Sequence, residues 1–202
     1  MKTIKLTFVA IIVASITLAS CSDSFDRVTG DGPIVTRTLQ LDPFSSIEMQ
    51  GIDDVYITYG TEQSVRVEGH ENIIARIKTA VVNGTWYIEL ENENYGHYEL
   101  TYYLQMPAIE NIASSGTGDV IISESMQLED VSISLVGTGS FLGFPLSADN
   151  CNVDISGSGD CEITVNNSLD VIIDGTGSVY YKGSPQVNAD ITGTGKVNSA
   201  ND

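Results

Sequence analysis

Five Gly-x-Gly steps punctuate the second half of this 202-residue chain, beginning at Gly116, Gly137, Gly157, Gly175 and Gly193. The intervals between them are 21, 20, 18 and 18 residues. Positions two, four and six before the last four are apolar: Leu135, Ile133, Val131; Ile155, Val153, Cys151; Ile173, Val171, Leu169; Ile191, Ala189, Val187. Positions four and six after the first four hold Val120 and Ile122, Phe141 and Gly143, Cys161 and Ile163, Val179 and Tyr181. The residues between are mostly Ser, Asn, Asp, Thr and Glu. That is period two, and it predicts a half-buried strand on each side of every Gly-x-Gly. Recurrence of the same ranks is what stacked coils require, because equivalent residues then lie about 4.8 Å apart. No amphipathic helix pattern occurs in residues 110–198. The expectation is an all-β chain, a parallel β-solenoid with about 18–21 residues per coil.

On this reading each Gly-x-Gly is a corner. The glycines Gly116, Gly118, Gly137, Gly139, Gly157, Gly159, Gly175, Gly177, Gly193 and Gly195 have a structural role, because a corner needs backbone that a Cβ would obstruct. Thr117, Thr138, Ser158, Thr176 and Thr194 lie between them, and their stacked hydroxyls can bond neighbouring corners. Before Gly116 the ranked positions are Ser114, Ile112 and Glu110, so the first step marks the passage from irregular coils into the regular stack.

Other chemistries fit less well. The spacing is not that of a nine-residue calcium roll, and the residue after the second glycine is Asp119, Ser140, Asp160, Ser178 or Lys196. Only two of these five are acids, so the acid reads as optional and no metal is expected. A phosphate cradle needs a following helix N-terminus, which is missing. An ice-binding face needs paired threonine ranks, and this rank is single. A polysaccharide lyase needs cations and a base. Residues 110–202 hold 13 acids and only Lys182 and Lys196 as bases. His70 and His97 are apart in the pattern and read as surface residues. No catalytic residue and no cofactor is expected. Cys151 and Cys161 face inward but are offset along opposed strands, so they are expected as buried free thiols without a disulfide.

At the N-terminus, Lys2 and Lys5 precede the apolar run 6–14. The run is too short to span a membrane and reads as a secretory signal. Leu18-Ala19-Ser20-Cys21 resembles the bacterial lipoprotein cleavage box, which implies a signal peptide over 1–20 and lipidation of Cys21. Residues 21–33 then form the lipidated Cys and a flexible acidic tether, and 34–202 a single domain. The formal net charge is −18, and cleavage would remove two lysines and no acid. Such a chain repels nucleic acid.

The first half shows strand patterns at 34–41, 47–50, 55–59, 65–68, 86–91 and 98–105, with a helical turn in 72–78. They read as less regular coils and caps of the same solenoid, and Gly51-Ile-Asp-Asp-Val55 as a degenerate corner. The order Phe44-x2-Ile47-x3-Gly51-x2-Asp54-Val55-x-Ile57-x2-Gly60 is followed by Val65-Arg-Val-Glu, Asn72-Ile-Ile, Trp86-x-Ile88 and Met106-Pro107-x-Ile109-x2-Ile112. With the Ser115-Gly116-x-Gly-Asp-Val corner series, this closely resembles the putative auto-transporter adhesin, head GIN domain family over residues 35–198. Trp86 stands where that family usually has Leu. The resemblance implies a right-handed β-helix on secreted proteins and lipoproteins, and a label of adhesin.

Function is then expected as non-catalytic binding or adhesion at the bacterial envelope, through a rigid β-helix surface that meets a glycan or a protein. The anchor would hold it to a lipid bilayer, an outer-membrane location being expected. A glycan-active enzyme with a carboxylate pair and a purely structural subunit are the alternatives. Tyr87, Tyr103 and Tyr180 fall on outward positions and are the candidate ligand contacts, since exposed tyrosines stack on sugars or anchor protein partners.

Overall fold

The computed structural model describes residues 27–201, and the expected signal segment, Cys21 and residues 22–26 lie outside the described residues. Its strands are β1 (Ile34–Leu39), β2 (Ser46–Gly51), β3 (Asp54–Tyr59), β4 (Ser64–His70), β5 (Val81–Val82), β6 (Thr85–Ile88), β7 (Leu100–Met106) and β8 (Asn111–Gly116). They continue as β9 (Val120–Ile122), β10 (Met126–Gly137), β11 (Phe141–Gly157), β12 (Cys161–Gly175), β13 (Val179–Gly183), β14 (Gln186–Gly193) and β15 (Val197–Ser199). A single helical turn, α1 (Glu71–Ile74), follows β4.

The strands stack in parallel into a β-solenoid with two faces that meet at the Gly-x-Gly corners. The face before the corner runs β6, β2, β8, β10, the later parts of β11 and β12, and β14. The face after the corner runs β7, β3, β9, the early parts of β11 and β12, β13 and β15. Ranks in sequence are ranks in space: Ile112, Ile133, Val153, Val171 and Ala189 are successive Cα partners. The first four of these are buried in one core that extends through the coils, and Ala189 lies exposed on the last. The shortening from 20 to 18 residues per coil is absorbed where β11 and β12 slip register, between Gly143 and Asn150.

Sequence order and stacking order part company at the base. Gly51 pairs with Gly116, so the ladder of corners begins at the degenerate corner. Asp54 and Asp119 are 65 residues apart and yet adjacent. The intervening chain goes downward: β6 lies beneath β2 and β7 beneath β3. Residues 85–106 therefore build the lowest coil, under the one that precedes them. β4 and β1 then extend the second face with antiparallel pairing. Trp86, fully buried, plugs this end. It meets Tyr102 edge-on at 5.8 Å and Phe44 at 5.6 Å, and its Nε1 donates to the Lys78 carbonyl at 3.0 Å. The opposite end has no such plug among the described residues, and every residue of β14 is exposed.

Candidate functional site

The corners are spent on the fold. Gly157 has φ of +148°, and a methyl group built on it would overlap the Gly137 carbonyl of the coil below. The carbonyl of Gly116 accepts from the N–H of Thr138 at 2.9 Å and of Gly139 at 3.1 Å. The carbonyls of Gly51, Gly157 and Gly175 accept the equivalent pair from the coils above them. These N–H groups have no capacity left for a phosphate or other anion.

A side-chain ladder stands beside this backbone ladder. Asp54 Oδ1 accepts from Asp119 N–H at 2.9 Å, Asp119 Oδ1 from Ser140 N–H at 2.8 Å, and Ser140 Oγ from Asp160 N–H at 3.1 Å. Asp160 Oδ1 then accepts from Ser178 N–H at 2.8 Å. The residue after the second glycine is thus a short oxygen acceptor as far as Asp160, and Ser178 and Lys196 occupy the rank on the last two coils described. The ladder sits two residues beyond the expected one: among the described residues the hydroxyls between the glycines make no hydrogen bond to one another. Asp53 holds the rank of a second glycine, since a Cβ on Gly118 would strike the Asp53 carbonyl. The β6–β7 connection of the coil beneath carries no Gly-x-Gly, and at Asp53 a side chain fits. Burial raises its carboxyl from 3.8 to about 6, while the Tyr98 hydroxyl, donating to Oδ2 at 3.3 Å, opposes the rise.

Cys151 and Cys161 are both buried free thiols, and burial pushes Cys151 up to about 12. No group of three His, Cys, Asp or Glu side chains among the described residues is placed to hold a metal. His70 Nδ1 lies 3.0 Å from the Gly32 carbonyl, and the His97 carbonyl accepts from Gly30 N–H, so both serve the base. Among the described residues no helix is long and apolar enough to cross a membrane.

The three candidate tyrosines separate. Tyr87 lies on the first face in β6, while Tyr103 and Tyr180 lie on the second in β7 and β13. All three are half-buried. Tyr103 is in a sandwich: Arg66 lies over one side of the ring at 4.0 Å, and Tyr56 stacks on the other with centroids 5.4 Å apart. Those partners come from the strands on either side of β7, so both ring faces are covered. The Tyr103 hydroxyl donates to Glu68 Oε2 at 3.3 Å, and Glu68 also pairs with Arg66.

Sequence reading missed what continues from this sandwich. In-register partners run Arg66, Tyr103, Tyr56, Ile121, Leu142 and Glu162 across the outside of the second face, and Tyr180 follows Glu162. Tyr103, Tyr56, Ile121 and Leu142 make an apolar stripe across four adjacent strands. Ile121 and Leu142 sit where alternation calls for polar residues. The available signal was the unbroken apolar run in Val120-Ile-Ile122 and the Phe141-Leu142 pair. A depression of about 300 Å³ opens at the sandwich end, lined by Thr38, Thr58, Ser64 and Gln105 beside Tyr56, Arg66 and Tyr103. The first face carries a groove of about 390 Å³ lined by Ala113, Ser132, Ser134, Asp154, Asp170 and Ile172 among others.

The model of the family described as "Putative auto-transporter adhesin, head GIN domain" matches residues 43–143 and 127–185. The chain belongs to this family. The head GIN domain also resembles solved structures. A putative adhesin from Bacteroides fragilis is 20% identical, with a TM-score of 0.58, covering 85% of this chain and 99% of that one. A putative lipid binding protein from Parabacteroides distasonis is 17% identical, with a TM-score of 0.53, covering 87% of this chain and 100% of that one. A putative adhesin from Parabacteroides merdae is 15% identical, with a TM-score of 0.50 and the same coverage. At these identities the likeness is one of fold. No curated protein matches the chain.

Proposed function

We propose that this head GIN domain is a non-catalytic binding module of the bacterial cell envelope, which meets a glycan or a protein through the second face. The observation that carries this is the stripe Tyr103–Tyr56–Ile121–Leu142: apolar side chains held outward on a rigid sheet, with rows on both sides that are polar except at Phe144. Such an arrangement of apolar centre and polar rim is that of an interaction surface. The adhesin label of the family agrees with it. Tyr180 is a secondary contact on this reading, while Tyr87, on the first face, lies away from this surface. A glycan-array screen of the purified mature chain, with detection of released products, tests it. Retention without turnover is expected, and release of shortened product overturns the reading in favour of a hydrolase.

The reading includes anchoring. Cleavage before Cys21 and its acylation would hold the domain to the outer membrane through residues 21–33, of which Val28 to Gly32 are hydrogen-bonded against the base. Several acyl chains hold a protein more firmly than one. Cells fed labelled palmitate should transfer label to the protein, and Cys21→Ser should abolish it. Label persisting in that variant would sink the anchor.

A further inference from the structure

The partner of the stripe can be narrowed, on the footing of the binding role just argued. We propose that the stripe docks a basic, amphipathic protein segment, whose apolar side chains cover Tyr56, Ile121 and Leu142 and whose Lys or Arg side chains meet the flanking carboxylates. Stacking on a sugar needs an open aromatic face. Tyr103, the ring at the head of the stripe, has none, because Arg66 and Tyr56 occupy both sides. What the stripe offers instead is aliphatic, Ile121 and Leu142, which suits apolar side chains better than hydroxyl-rich rings.

Charge selects the rest of the partner. The corner row beside the stripe carries Asp54, Asp119 and Asp160, and Glu162 follows Leu142 within the stripe. Each aspartate uses Oδ1 on the coil above, which leaves Oδ2 for a cation. Of the cations of this face, Arg66 pairs with Glu68 and Lys182 lies over the Phe144 ring at 4.6 Å, while the exposed Lys196 ends the corner row three strands beyond Leu142. The surface facing an incoming ligand is therefore acidic around an apolar line, on a chain of formal charge −18. Its complement is apolar flanked by cations, and such complementarity sets both approach rate and partner choice.

The test uses the purified mature chain and two synthetic ten-residue peptides, one alternating Lys and Val, the other alternating Glu and Val. The Lys–Val peptide should bind and the Glu–Val peptide should not. Raising salt across the physiological range should weaken binding roughly ten-fold. The pair Ile121→Thr and Leu142→Thr should weaken it by a similar factor, and Ile172→Thr on the first face should leave it unchanged. The pair Asp119→Asn and Asp160→Asn keeps the ladder acceptors, removes two charges and should reduce the salt dependence. Thermal melts would verify that each variant folds. Failure of the Lys–Val peptide to bind, or equal binding of both peptides, overturns the inference. A glycan retained by the parent chain and lost in the Ile121/Leu142 variant would do so too, while leaving the binding role standing. Product release in the glycan screen would overturn the binding role itself.

Discussion

At the scale of single residues, glycine positions that look alike differ in what they demand. Gly157 combines a positive φ with a carbonyl where its Cβ would go, whereas Gly51, at φ +129°, faces open space. Gly157→Ala should therefore cost about 3 kcal/mol or more, and Gly51→Ala only about 1 kcal/mol, in urea denaturation. Asp53 shows the opposite permission, a side chain where later coils allow none. Its folded carboxyl, near 6 against an ordinary 3.8, binds its proton more tightly than the unfolded chain does. That contribution to stability is complete at the acid end, below the ordinary value, and is lost as pH rises through about 6. Asp53→Asn should remove this slope and stabilise the chain at pH 7 by about 1–2 kcal/mol. Denaturation midpoints at pH 4.5 and 7 check both sign and size. Ser114 is the one buried hydroxyl without a partner among the described residues, in a rank otherwise filled by Met49 and Leu135. Ser114→Ala should stabilise by up to about 1 kcal/mol.

At the scale of the element, the coils from Asp54 to Ser178 are tied by two ladders, one of backbone and one of short side-chain acceptors. Asp160→Ala removes the acceptor for Ser178 N–H and should cost about 1–2 kcal/mol, with faster hydrogen exchange at that amide. Lys196→Ala, on the last coil, should leave stability unchanged. The regular coils were legible because a solenoid writes its packing into the sequence: residues two, four and six before each glycine, Ile133, Val153 and Val171 among them, recur as neighbours. The side-chain ladder was harder to read, because Asp and Ser alternate in it and look like noise unless both are seen as acceptors. The stripe was hidden for a different reason. Tyr56 meets Tyr103 only because β7 lies beneath β3, and no repeat marks which strands of the first half are neighbours. Ile121 and Leu142 were visible as residues, but their common row depends on the register between β9 and β11.

At the scale of the whole molecule, the core is one continuous column that holds both thiols. Cys151 and Cys161 should resist a thiol reagent in the native chain and react fully once it is denatured. A colorimetric titration of the Cys21→Ser chain with and without urea checks this, and prompt reaction in buffer would mean that the column opens readily. The coil order at the base has a further consequence, for timing. The coil of β2 and β3 rests on residues 85–106, which come later in the chain, so its underside stays bare until they arrive. Its upper side must wait for Asn111 and beyond. The coils from Gly137 onward need only partners about one coil back, and close loops of 18–21 residues rather than 65. A chain delivered N-terminus first thus cannot complete its beginning first. The coils of β10 to β12, buried and each resting on the one just before, are the better placed to nucleate, and the plug of Trp86 is set only when the beginning has waited for the middle.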